Sequence, residues 1–118
     1  MRTIKFRAWN IGGKCMVNKI ANDDLGWVLD NPKSYVPMQY TGQKDKNGKE
    51  IFEGDIIYSS HVDDQKTGPV KWSNIHHGYI IDYPRRKGDS FDQWQHMHGK
   101  EHCYEVVGNI YENKELLK

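Results

Sequence analysis

Tyr40-Thr41-Gly42-Gln43-Lys44-Asp45-Lys46-Asn47-Gly48-Lys49-Glu50-Ile51-Phe52-Glu53-Gly54-Asp55-Ile56-Ile57-Tyr58 reads as extended chain carrying its own punctuation. Asn47-Gly48 offers the two positive-φ residues that a type I′ turn requires between paired strands, so a hairpin is expected here. Beyond it, Ile51-Phe52 makes a short strand, Gly54 a bend, and Asp55 the entry to a core strand through Tyr58. Tyr40-Thr41-Gly42 suits a bulge, where glycine lets the backbone turn. Each of these residue types is demanded by local φ/ψ, so Tyr40, Gly42, Asn47, Gly48, Gly54 and Asp55 are read as structural. A ligand contact through Asp45 or Asp55 would need a neighbouring carboxylate or base that sequence does not place.

The same grammar extends outward in both directions. From Thr3 to Trp9 polar and apolar residues alternate, with Ile4, Phe6 and Ala8 on one face and Lys5 and Arg7 on the other, the period of a half-buried strand. Asn10 to Gly13 tolerates positive φ, and Cys15 and Val17 continue on a returning strand, which makes an opening hairpin. Residues 21–37 read as an irregular excursion. Asn22, Asp23 and Asp24 can cap a short helix through Leu29, but Gly26 weakens it and Asn31-Pro32 ends it. Downstream, Gly68-Pro69 punctuates before Val70-Lys71-Trp72, and Gly78 precedes a strand from Tyr79 that stops at Pro84. Residues 84–102 form a second, polar excursion. Tyr104 to Tyr111 is β-rich, with Gly108-Asn109 as a further structural pair, and Asn113 is placed to cap a last turn through Leu117. The expectation is one domain over residues 1–118, mainly β: a small SH3-like or open β-barrel built from hairpins, with a short C-terminal helical turn.

Composition narrows the functions. Seventeen Lys and Arg against sixteen Asp and Glu leave a net charge of +1, which implies no strong pull on nucleic acid or anionic lipid. The mean hydropathy of −0.89 is low, yet four Trp, seven Tyr and three Phe supply buriable area that disordered chains lack. No apolar run approaches the roughly 20 residues of a membrane span, and the N-terminus has no signal-like apolar segment. A soluble, cytoplasmic protein without membrane contact is expected. Cys15 and Cys103 lie far apart in no CxxC arrangement and read as free thiols.

Three blocks together carry a family resemblance. They are Lys5-Phe6-Arg7-Ala8-Trp9, Met38-Gln39-Tyr40-Thr41-Gly42 running through Lys44–Ile51 to Glu53-Gly54-Asp55-Ile56, and Tyr104-Glu105-Val106-Val107-Gly108-Asn109-Ile110-Tyr111-Glu112-Asn113. In this order and combination the chain resembles the YopX family of bacteriophage and prophage proteins. The blocks cover both ends and the first half, whereas the segment from about Ser59 to His102 carries no motif. Gln43 stands where the family usually has an aliphatic residue, and Lys114 where proline is common. The resemblance implies a largely β, oligomeric protein of phage or prophage origin, in a family without an established biochemical activity. It carries over no catalytic residue and no cofactor.

Reactive side chains are present but not assembled by spacing. All six histidines fall in the second half: His61, His76, His77, His96, His98 and His102. His96 and His98 share a face of a strand and His98 and His102 a face of a helix, so no one local conformation brings all three to a metal. His102 and Cys103 point to opposite faces of a strand, which rules out a Cys-His dyad from those two alone. Arg85, Arg86 and Lys87, flanked by Tyr83 and Phe91 and followed by Trp94, form the mixture of cations and aromatics that holds phosphates and stacks bases. No phosphate-binding glycine loop supports them.

The reading that follows is a noncatalytic binding or assembly protein, acting through self-association and a host or phage partner. Aromatic residues are enriched in interface cores, which fits this composition. Two alternatives stand beside it: a nucleic-acid-binding accessory protein using residues 83–94, and a metal-dependent enzyme using His96, His98 and His102.

Overall fold

A computed structural model of the chain describes residues 4–18, 20, 22–60, 66–75, 77–83, 93–96 and 103–117. The fold is mainly β. Among the described residues the strands are, in chain order, β1 (Phe6–Asn10), β2 (Cys15–Val17), β3 (Tyr35–Lys44), β4 (Glu50–Phe52), β5 (Asp55–Ser59), β6 (Lys66–Ser73), β7 (Gly78–Tyr83), β8 (Gln93–His96) and β9 (Tyr104–Asn109). A helix, α1 (Asn22–Leu29), lies between β2 and β3, and a 3-10 turn (Lys114–Leu117) follows β9. Among the described residues the strands pair antiparallel, in two sheets of order β2-β1-β3-β4 and β8-β7-β6-β5-β9.

The chain passes from one sheet to the other at Gly54, between β4 and β5. The architecture is therefore an open barrel: two sheets sharing a corner, as in packings where a strand bends from one sheet into the next. Gly54 sits at φ +84°, its N–H donates to Val70 C=O at 3.0 Å, and its own C=O accepts from Ile110 N–H at 2.9 Å. The bend lets Ile51 of β4 join Ile57, Val70, Ile81 and Tyr104 of the second sheet in one buried cluster. Tyr79, Cys103 and Val106 pack around it.

Several expectations need correction. Arg7 does not face solvent: it is 7% exposed, because β1 lies inside its sheet and its second face is covered by β4 and β5 residues. The opening turn puts Lys14 at positive φ, not residues 10–13, with Asn10 Oδ1 accepting from Gly13 N–H. Residues 21–37 are not irregular throughout, since α1 forms and β3 begins at Tyr35. The cost of Gly26, about 1 kcal/mol, is offset by burial of Val28 and by the edge-on contact of Trp27 with Tyr35 at 5.2 Å. Asn31 Nδ2 then donates to Trp27 C=O and closes the helix.

Gly68-Pro69 lies inside β6 and does not punctuate it. Val70 C=O turns toward β5, so Pro69 turns its missing N–H toward β7, where the ladder begins only at Val70. The Asn47-Gly48 hairpin forms, but only Gly48 has positive φ, at +82°. Gly48 N–H donates to Asp45 C=O and Asp45 N–H to Lys49 C=O, giving a type I turn followed by a left-handed glycine. A type I′ turn is thereby excluded.

Candidate interaction surface

The buried polar groups come first, because they decide what remains free. Arg7 Nη2 donates to Asp55 Oδ1 at 2.7 Å and to Glu53 C=O at 3.2 Å, and the guanidinium lies 4.8 Å from the Phe52 ring centre. Asp55 Oδ2 accepts from Phe52 N–H at 2.8 Å. The side chains are 8% and 2% exposed. Burial pushes the Asp55 carboxyl above its ordinary range, and the pull of Arg7 and the Phe52 N–H in the other direction does not overcome it. This pair ties β1 to β5 across the corner at Gly54. Trp9 stacks on Tyr111 at 5.3 Å and fixes β1 to the segment after β9.

Asp45 makes a second tie. Its Oδ1 accepts from Asn47 N–H and Lys49 N–H, both at 2.9 Å, and its Oδ2 accepts from Val106 N–H of β9 at 3.0 Å. Burial raises this carboxyl, but the three N–H groups and the Lys49 charge outweigh it and hold Asp45 below the usual carboxylate range. A depressed folded-state pKa contributes stability that is present above the unfolded value and lost as pH falls through the folded one. The expected result is a loss of stability as pH falls below the ordinary carboxylate range, smaller in Asp45→Asn than in wild type, in urea unfolding followed by circular dichroism.

The remaining motif residues also serve the backbone. Gly42, at φ +90°, lies in the register shift between Tyr40 and Lys44, and Thr41 Oγ1 donates to Ile51 C=O across it. Tyr40 is buried against Phe52, with ring centres 5.5 Å apart. Asn109 Oδ1 accepts from Tyr111 and Glu112 N–H. Asn113 Oδ1 reaches back to Asn109 N–H, so its side chain does not cap the last turn as expected. Asn113 C=O accepts from Leu116 N–H as the first backbone bond of the turn. Gly108 makes room for this, since a Cβ there would stand 2.5 Å from Asn113 Oδ1.

With those groups engaged, the exposed apolar side chains among the described residues include Ile4 before β1, Val107 within β9, and two closer sets, one at a hairpin tip and one on α1. At the tip joining β6 to β7, Ile75 is 85% and Trp72 49% exposed. Trp72 Nε1 donates to Asn74 Oδ1 at 2.8 Å, and the indole meets Tyr79 edge-on at 5.1 Å. The indole is thus held in one orientation with its polar atom satisfied. Below it, Lys71 Nζ and Asp82 Oδ2 pair at 2.8 Å. A second exposed set, Trp27 and Leu29, lies on α1. Sequence reading passed over Ile75, because one apolar residue in a turn has no period to reveal it.

The other sequence candidates fall largely outside the described residues. Arg85, Arg86, Lys87, His98 and His102 lie there entirely, and Tyr83, Trp94 and His96 are described by backbone alone. β7 and β8 pair Tyr83 with Gln93 and Asp82 with Trp94, so residues 84–92 connect two antiparallel strands. Among the described residues no group of three or more His, Cys, Asp or Glu is arranged to hold a metal ion. Cys15 is exposed, Cys103 is half-buried, and both are free thiols. No helix among the described residues is long and apolar enough to cross a membrane.

Fold and surface together define a two-sheet β protein in which Arg7–Asp55 and Asp45 bind one sheet to the other and in which the described surface exposes apolar side chains at the β6–β7 tip and on α1. The chain belongs to the YopX family: the YopX protein model matches residues 20–118. β1 and β2 precede the matched range, although β1 supplies the partner of Asp55. The crystal structure of protein EF1440 from Enterococcus faecalis superposes with a TM-score of 0.61 at 24% identity, covering 100% of both chains, which is a likeness of fold. No curated protein matches.

Proposed function

We propose that this chain is a phage-encoded, noncatalytic binding protein that works in the bacterial cytoplasm by associating with copies of itself and with a host or phage protein. The observation that carries this reading is the hairpin tip, where Trp72 is oriented in advance by Asn74 and Tyr79 beside an exposed Ile75. An aromatic anchor whose rotamer is already fixed loses little entropy on binding, and its satisfied N–H leaves nothing unpaired when covered. Family membership is compatible with the reading and adds no chemistry to it.

Light scattering after size exclusion tests it with wild type, Trp72→Ala and Ile75→Asp. The wild type is expected to exceed the mass of one chain. Each variant is expected to weaken association by about tenfold to a hundredfold, and Ile75→Asp, at a side chain 85% exposed, is expected to do so with its unfolding free energy within about 0.5 kcal/mol of wild type, as for surface changes. A wild type that remains a single chain at high micromolar concentration removes self-association. Salt-sensitive retention on DNA or RNA, lost when Arg85, Arg86 and Lys87 are neutralised, would favour the nucleic-acid alternative instead.

A further inference from the structure

Of the eight asparagines in the chain, Asn47 alone precedes a glycine. The fold engages most of the others through their side chains. Asn10 Oδ1 accepts from Gly13 N–H, Asn31 Nδ2 donates to Trp27 C=O, Asn74 Oδ1 accepts from Trp72 Nε1, and Asn109 and Asn113 hold the turn after β9. Asn47 is engaged through its backbone N–H, and no partner among the described residues holds its side-chain amide. Both Asn47 and Gly48 are exposed. An unheld amide carbonyl next to a peptide nitrogen sets an electrophile beside a nucleophile. Gly48 has no Cβ to shield that nitrogen, and nothing lies within 4 Å of where a Cβ would stand.

We infer that Asn47 is a site of self-modification, converted to aspartate and isoaspartate through attack by the backbone nitrogen of Gly48. The nitrogen gives its proton to hydroxide and bonds to Asn47 Cγ. The bond from Cγ to Nδ2 breaks, ammonia leaves, and a five-membered cyclic imide remains. Water then adds to one of the two imide carbonyl carbons. Cleavage of the new bond at Cγ gives aspartate in the ordinary chain. Cleavage at the original peptide carbonyl gives isoaspartate, with the chain running through Cβ and Cγ. Water is consumed and ammonia released, with no change of oxidation state.

The turn sets the rate. Gly48 N–H donates to Asp45 C=O at 3.0 Å, so rotation of the peptide between Asn47 and Gly48 must carry the nitrogen off that acceptor and onto Cγ. Breaking one hydrogen bond inside the turn slows the attack about tenfold relative to the unfolded chain. The bonds from the turn to β9, Asp45 Oδ2 with Val106 N–H and Lys46 N–H with Tyr104 C=O, lie outside the rotating peptide and are kept. The product adds a negative charge to a segment that exposes Lys44, Lys46 and Lys49, and the isoaspartate form lengthens the chain between Asp45 and Lys49. Copies of different age therefore differ in charge at this turn. The inference does not depend on association through Trp72 and Ile75.

Wild type and Asn47→Gln, folded and in urea, are incubated from neutral to mildly alkaline pH, then digested and read by mass spectrometry with isoaspartyl methyltransferase labelling. In folded wild type the peptide carrying Asn47 is expected to gain the mass of NH2 exchanged for OH before any other asparagine does. Both products are expected, at a rate that rises with pH and lies about tenfold below that in urea. Asn47→Gln, an exposed change whose attack would need a six-membered ring, is expected to show no gain at this position. An Asn47 that stays intact in the folded protein while the urea sample reacts overturns the inference. A folded-state rate below the urea rate by the whole unfolding constant overturns it too, because it would place the attack in the unfolded chain and not in this turn.

Discussion

Arg7→Met is expected to lower the unfolding free energy by about 3–5 kcal/mol at neutral pH, since it strands a buried charge. The carboxylate left behind is 2% exposed and keeps only the Phe52 N–H. Its pKa, already raised by burial in the presence of Arg7, rises further when the guanidinium is gone. A folded pKa above the unfolded one means that the native state binds the proton more tightly. Stability relative to wild type should then be least impaired in acid and fall as pH rises through the folded pKa of Asp55. Urea unfolding of wild type and Arg7→Met from about pH 4 to pH 9 checks this. A deficit that does not change with pH would mean that the loss is one of packing and not of charge.

Gly54→Ala should be nearly as damaging, at about 3 kcal/mol from two additive causes. At φ +84° an L side chain meets its own backbone, and the new Cβ would stand 3.0 Å from Met38 Sδ. Met38 is itself 3% exposed and touches Arg7, so it has little room to move. Relaxing the strain means opening the corner, where Gly54 holds Val70 C=O on one side and Ile110 N–H on the other. Thermal unfolding followed at 222 nm is the measurement. Gly78→Ala is the control, since that glycine has neither positive φ nor a neighbour within 4 Å of an added Cβ.

The strands around Gly54 were legible in the sequence because one residue type announces one backbone conformation there. Burial of Arg7 was not, since alternation along β1 separates two faces without telling what covers the second. The hairpin at Asn47-Gly48 was legible but its turn type was not. Asp45 decides it, through a side-chain cradle that competes with the type I′ geometry the dipeptide favours. Helix α1 was undervalued because its support comes from β3, and tertiary contact outweighs the propensity of Gly26. Gly68-Pro69 misled for a related reason: whether proline breaks a strand depends on which side its nitrogen faces, and that requires the register.

The interaction surface was the least legible part. Trp72 was visible as a strand residue, but its fixed orientation needs Asn74 and Tyr79, which the chain brings to it only after β6 and β7 pair. The ionisable groups that attract attention in sequence, Asp45 and Asp55, are engaged with backbone N–H groups and Arg7 inside the protein. On the function proposed above, the surface acts by contact and these buried groups only support it.

That division is tested by replacing the buried pair with uncharged groups and asking whether assembly survives. Arg7→Met combined with Asp55→Asn keeps an acceptor for the Phe52 N–H and leaves no buried charge. Light scattering of this double variant is expected to return the wild-type particle mass, above that of one chain. A folded double variant that no longer assembles would contradict the division, because it would make the buried pair part of the function it is held only to support.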